Sequence, residues 1–215
     1  MNRIFQFTAA FLVLAAFLAP AHAELGSVSA AGQRLTRQLD GMGVETKWIA
    51  GAHVDWETGL PDGRPETAPG RHTHCSAFVA AVAKKLGVYI LRPPEHGQIL
   101  LANAQNEWLA EDGAQQGWRH IDGPAAAQDL ANRGMLVVAS YHNHRDDKPG
   151  HIAIVRPSVK TAQEIEADGP TVIQAGTTNS AEISLRLGFA GHPHAWTDHE
   201  VDYYAHAISA RAADQ

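Results

Sequence analysis

A single cysteine, Cys75, means that this 215-residue chain can close no disulfide within itself. Positive charge is also scarce. Seventeen Lys and Arg face 23 Asp and Glu, for a formal net charge of −6 with His neutral, and without a basic footprint the chain is not suited to binding nucleic acid. Beyond the first 18 residues no apolar run approaches the roughly 20 residues that a transmembrane helix needs, so no membrane span is expected after that point. Internal repeats and low-complexity linkers are missing as well, which leaves one folding unit as the expectation.

The amino terminus has the pattern of an export signal. Met1, Asn2 and Arg3 precede an almost unbroken apolar run over 4–18, followed by Pro20 and the small-residue pattern Ala21-His22-Ala23. A basic start, a short apolar middle and an A-x-A ending predict a signal peptide over 1–23, cleaved after Ala23, and a periplasmic or secreted protein. Loss of Arg3, the one charged side chain of that segment, takes the net charge from −6 to about −7. The remaining 24–215 suffice for one substantial core, and a single domain is expected. In that setting a lone thiol is open to oxidants, so Cys75 is expected to serve a purpose that outweighs the hazard.

Helical spacing dominates the first part of the chain. A helix is expected over 27–39, ended by Gly41-Met42-Gly43, then a short strand over 46–49 and a loop rich in Gly and Pro. Out of this loop the stretch THCSAFVAAVAKKLG opens an amphipathic helix, with Thr73 as expected N-cap and Phe78, Val79, Val82 and Leu86 on one stripe. Lys84, Lys85 and Gly87 suit its end. Further helices are expected over 95–110, with Ile99, Leu100, Ala104, Trp108 and Leu109 inward, and over 125–132. The pattern then changes to apolar or β-branched runs of strand length at 135–140, 151–155 and 171–176, with one more strand in the tail around Val201 to His206. Helices leading and strands following predict an α+β domain with an antiparallel sheet.

The position of Cys75 suggests a nucleophile. At a helix start, unpaired backbone N–H groups and the helix dipole favour a thiolate. Such a nucleophile needs a base, and the base needs a group that orients it. His151 follows the Pro149-Gly150 turn and opens a strand, a rigid place from which to aim an imidazole. Gln174, on the next strand, or Asn179, in the following GTTNS segment, could each accept from the ring N–H. His72 and His74 lie close enough in sequence to line a substrate site.

The order HCSAFVAAVAKKLG, ANRGMLVVAS, GHIAIV, VIQAG resembles the papain-like amidases of bacterial cell walls, especially the CHAP and NlpC-type domains, over residues 70–180. Those families place the cysteine at a helix start, the histidine at a strand start in a GH-hydrophobic motif, and a polar third residue on the next strand. The resemblance implies Cys75 as nucleophile, His151 as base, Gln174 or Asn179 as the third residue, and no cofactor. It also implies a peptide or peptidoglycan substrate. The chain departs from the pattern at the third position, where these families more often have His, Asn, Asp or Glu.

Two other readings compete. Thirteen histidines raise a zinc hydrolase: His72, His74 and Cys75 are potential ligands, and YHNHRDD over 141–147 resembles the H-x-H-x-D-H loop of metallo-β-lactamase folds, with Asp147 where a histidine is expected. The third is a non-catalytic periplasmic binding module with a degenerate amidase fold, keeping the strand for packing and the groove for binding.

Overall fold

A computed structural model describes residues 27–69 and 73–209; the expected signal segment over 1–23, and His72, lie outside the described residues. The protein is α+β, built on a six-stranded, wholly antiparallel sheet. Its helices are α1 (Ala30–Asp40), α2 (Cys75–Lys85), α3 (Leu101–Glu111), α4 (Pro124–Asn132), α5 (Ala162–Asp168), α6 (Leu185–Gly188) and α7 (Pro193–Thr197). The strands are β1 (Arg119–Ile121), β2 (Leu136–Tyr141), β3 (His151–Val155), β4 (Thr171–Ala175), β5 (Asn179–Ser184) and β6 (Asp202–His206), in the spatial order β1-β6-β2-β3-β4-β5. No helix among the described residues is long and apolar enough to cross a membrane.

The central strands read as continuous apolar runs because both faces of the sheet are covered. On one face Phe78 and Val82 of α2, and Leu86 just past its end, pack against Leu136, Val138, Ile152, Ile154 and Ile173. On the other, Val137, Ala139, Ala153, Val155 and Val172 meet Ala127 and Ala131 of α4, together with Leu185, Phe189 and Ala195. The alternation within each strand therefore separates two apolar cores rather than a core from water.

Two sequence expectations are corrected. The strand expected over 46–49 is absent: Val44–Thr46 forms a 3-10 turn and Trp48 takes a left-handed backbone with φ 51°. Tertiary contacts outweigh β propensity here, since the Trp48 indole is buried and donates to the Trp56 carbonyl at 2.9 Å. The helix expected over 95–110 begins only at Leu101, because Leu100 adopts φ 54° and interrupts helical continuity. That turn buries Leu101 and leaves Ile99, expected inward, 70 % exposed.

Candidate active site

The sheet is split where the candidate residues meet. β3 and β4 pair at Ile154↔Ile173 and Val155↔Val172, while the first residues of β3 have no partner in β4. The backbone N–H of Ile152 is thereby free to point at the Cys75 sulfur, as do the N–H groups of Cys75 and Ser76 at the start of α2. Cys75 is only 4 % exposed and belongs to the core beneath α2. Burial pushes its thiol up from the ordinary 9.0, and the surrounding N–H groups offset this only in part. The low-pKa thiolate expected from the helix start is thus corrected: desolvation outweighs the dipole, and the resting group is a neutral thiol.

His151 alternates with Ile152, so its ring leaves the sheet on the face opposite to Ile152 and the α2 core. It meets the Phe189 ring edge-on at 4.5 Å and lies nearly parallel to His192, with centroids 6.0 Å apart. Nε2 of His151 is 2.7 Å from Oε1 of Gln174. The Gln174 amide is itself oriented, because its Nε2 donates to the Thr178 carbonyl at 3.2 Å. Oε1 therefore faces the imidazole and accepts the proton of Nε2, which leaves Nδ1 as the basic nitrogen. Burial lowers the pKa of the ring below its ordinary 6.5, against the opposing effect of the Gln174 hydrogen bond, so the imidazole is neutral near pH 7. Gly188 makes room for the amide: a Cβ there would lie 2.9 Å from Oε1 of Gln174.

The other candidates fall elsewhere. The Asn179 amide is engaged elsewhere; its Nδ2 donates to the carbonyls of Val44, Lys47 and Trp48 at 2.8, 2.7 and 3.3 Å, tying down the segment before the loop. His74, expected to line the site, is buried with Nε2 3.0 Å from the Ala52 carbonyl, and it occupies the N-cap position of α2 in place of Thr73. Thr73 instead faces a cleft of about 570 Å³ whose walls include His151, Gln174, Gly188 and His192. The segment proposed for zinc disperses its donors, with His142 on Glu107 at 2.9 Å, His144 on Glu200 at 2.8 Å and Asp147 on Arg145 at 3.1 Å. Among the described residues no group of three or more His, Cys, Asp or Glu side chains is placed to hold a metal ion.

Sequence reasoning missed two contributors. His192 follows a Gly in a turn-rich stretch and reaches the cleft only through tertiary packing; its pKa is lowered by burial and then by His151. Asn103 of α3 had a faint signal, a polar residue on a buried face. Its Oδ1 accepts from the Gly150 N–H at 2.6 Å and the Asn143 N–H at 3.3 Å, while Nδ2 donates to the Lys148 carbonyl at 3.0 Å, so one side chain shapes the loop that delivers His151.

These shifts define a pH window. The folded state holds His151 neutral below its ordinary 6.5, so as pH falls the unfolded chain takes up the proton first and stability drops; His192 acts in the same direction. The folded state holds the Cys75 thiol protonated above its ordinary 9.0, so as pH rises the unfolded chain loses its proton first and stability drops again. The urea midpoint is expected to plateau between these values and fall on both sides, with Cys75→Ala flattening the alkaline limb. An alkaline limb identical in that variant would contradict the assignment.

Comparison of the chain with protein-family models and with curated proteins finds no match.

Proposed function

We propose that this protein is an exported, papain-like cysteine hydrolase that cleaves amide bonds, with peptidoglycan stem peptides or cross-links as substrate. The observation that carries the reading is the hydrogen bond from His151 to an oriented Gln174, set one residue from the backbone N–H that contacts the Cys75 sulfur. A neutral thiol and a neutral imidazole suit general-base activation when the two are brought together around a bound substrate. The proton leaves Sγ for Nδ1 of His151 as sulfur attacks the carbonyl carbon. The ring then returns it to the departing amine, and water, deprotonated by the same nitrogen, hydrolyses the thioester. The backbone N–H groups at the start of α2 are the natural donors to the developing oxyanion. Substrate would lie in the cleft beside His151 and Gln174 and meet the sulfur through the split between β3 and β4.

One observation favours a second reading. Cys75 is nearly closed to solvent and is not part of the cleft wall, as in a binding module that keeps the groove and has lost the chemistry.

Digestion of purified peptidoglycan, with mass spectrometry of the released fragments, separates the two. New amine and carboxyl ends are expected with the intact protein; binding without new ends selects the module. Gln174→Ala is expected to slow cleavage roughly tenfold to a thousandfold, because the ring still finds the thiol part of the time. Asn179→Ala is expected to keep the rate and lower stability by about 1–3 kcal/mol, since it orphans carbonyls around Trp48. The reverse pattern would transfer the orienting role to Asn179.

A further inference from the structure

The cleft of about 570 Å³ holds a second imidazole that the proposed chemistry leaves unused. His192 is half-buried just before α7, its ring between Tyr141, 5.3 Å away, and His151, 6.0 Å away and nearly parallel. Its backbone is pinned: the N–H donates to the Phe189 carbonyl at 2.7 Å, and the carbonyl accepts from the Ala195 N–H at 2.9 Å. The ring nitrogens, by contrast, have no hydrogen-bond partner among the described residues, and neither is sealed from solvent. A Cβ on the neighbouring Gly191 would meet nothing within 4 Å, so the approach to the ring is open. A ring fixed in place, with unpartnered polar atoms at the wall of a cleft, is arranged for a ligand rather than for the fold.

The two imidazoles do not face acid on equal terms. Like charges 6.0 Å apart repel, and His151 lies deeper, against Phe189 and with Nε2 on Gln174. His192 is the less buried of the two, and the Tyr141 ring favours a cation beside it. The carboxylates nearest this corner, Asp198 and Glu200, act on Tyr141 and are engaged by His194 at 3.2 Å and His144 at 2.8 Å. The described residues of the cleft wall include no Asp or Glu to neutralise a charge on His192, and no Lys or Arg to supply one at higher pH. We propose that the first proton this cleft takes up in acid goes to His192, and that the charged ring binds a carboxylate of the ligand. Burial and the neighbouring His151 place that uptake below the ordinary 6.5, so anionic ligands are held in mild acid and released as pH rises. A cation meets no counter-charge on this wall, and an uncharged group gains nothing from the proton. Only the choice of this cleft as the ligand site rests on the proposed hydrolase. Binding is read without turnover, so peptidoglycan left uncut would sink the hydrolase and leave the carboxylate site standing.

The test is titration of the protein with acetyl-alanine, whose carboxylate is free, and with acetyl-alanine amide, its uncharged match in size. In heteronuclear spectra the Cε1–H resonance of His192 reports protonation, and the backbone N–H of Gly176, another residue of the wall, reports occupancy. Acetyl-alanine is expected to bind in the millimolar range, at least about fivefold tighter at roughly pH 5.5 than at about pH 7.5, because a carboxylate selects the protonated ring and binding takes up a proton. Acetyl-alanine amide is expected to bind no more tightly at the lower pH. His192→Gln and His192→Phe are each expected to lose the acid dependence. The first keeps a neutral hydrogen-bond donor and the second keeps a ring between Tyr141 and His151, so at this half-buried position both are expected to fold. Titration of His151 before His192, a gain by the amide equal to that of the acid as pH falls, or acid dependence surviving in either variant would overturn the proposal. So would the lack of a saturable shift with acetyl-alanine up to about 50 mM at roughly pH 5.5.

Discussion

Cys75→Ala is expected to reduce amide cleavage by on the order of 10⁴-fold or more, to the level of substrate incubated alone, because no other thiol exists to take its place. His151→Ala is expected to come close to the same level, and the double variant to be no slower than either single one. Residues that act as one unit are not additive: once the thiol loses its base, a neutral sulfhydryl is a poor nucleophile, and once the sulfur is gone the base has nothing to activate. Burial sharpens this expectation, since it holds the thiol protonated and makes Nδ1 of His151 necessary rather than helpful. Cleavage retained by Cys75→Ala would remove the thiol from the mechanism. Additive losses in the double variant would show that Cys75 and His151 work separately.

The largest effect on the folded state is expected from Gly150→Ala. A Cβ at this position would lie 2.0 Å from the Tyr141 carbonyl oxygen and 2.5 Å from Oδ1 of Asn103. The first is backbone of β2, paired with His151 in register, and cannot swing away as a side chain can. The second is the acceptor for the Gly150 N–H itself. Relief requires the loop over 142–150 to move off α3, breaking the Asn103 hydrogen bonds and shifting the first residue of β3. The loss is expected to be roughly 3 kcal/mol, which for a domain of this size lowers the melting temperature by roughly 10 °C. Cleavage should fall beyond what this instability explains, because His151 is the next residue. A melting temperature and rate matching those of the parent would show that the close approach is not a constraint.

Much of the scaffold was legible because the signals are local. The α2 stripe, the Gly134 turn after α4 and the three apolar runs each depend on near neighbours, and each appears within a residue or two of its expected place. The misplacements at 46–49 and 95–100 have the opposite character. Trp48 is set by Trp56, Gly59 and Asn179, and the start of α3 by the left-handed turn at Leu100, features that no periodicity announces.

At the site the same division holds. The sequence by itself determined that one thiol stands at a helix start, that one histidine opens a strand after a Pro-Gly turn, and that amides follow on the next hairpin, because composition, turn residues and strand alternation are properties of short segments. Only the tertiary structure decided which amide meets the imidazole and in what state the thiol rests. Gln174 and Asn179 stand at successive levels of one hairpin, Gln174 opposite Ser180 and Ala175 opposite Asn179, with an irregularity between Val172 and Gln174. The fold of that hairpin against β3 and the 44–48 segment brings one amide to His151 and sends the other to Trp48. The thiol is governed by the apolar mass of α2 and the sheet, whose desolvation outweighs the helix dipole, and that mass comes from residues far apart in the chain.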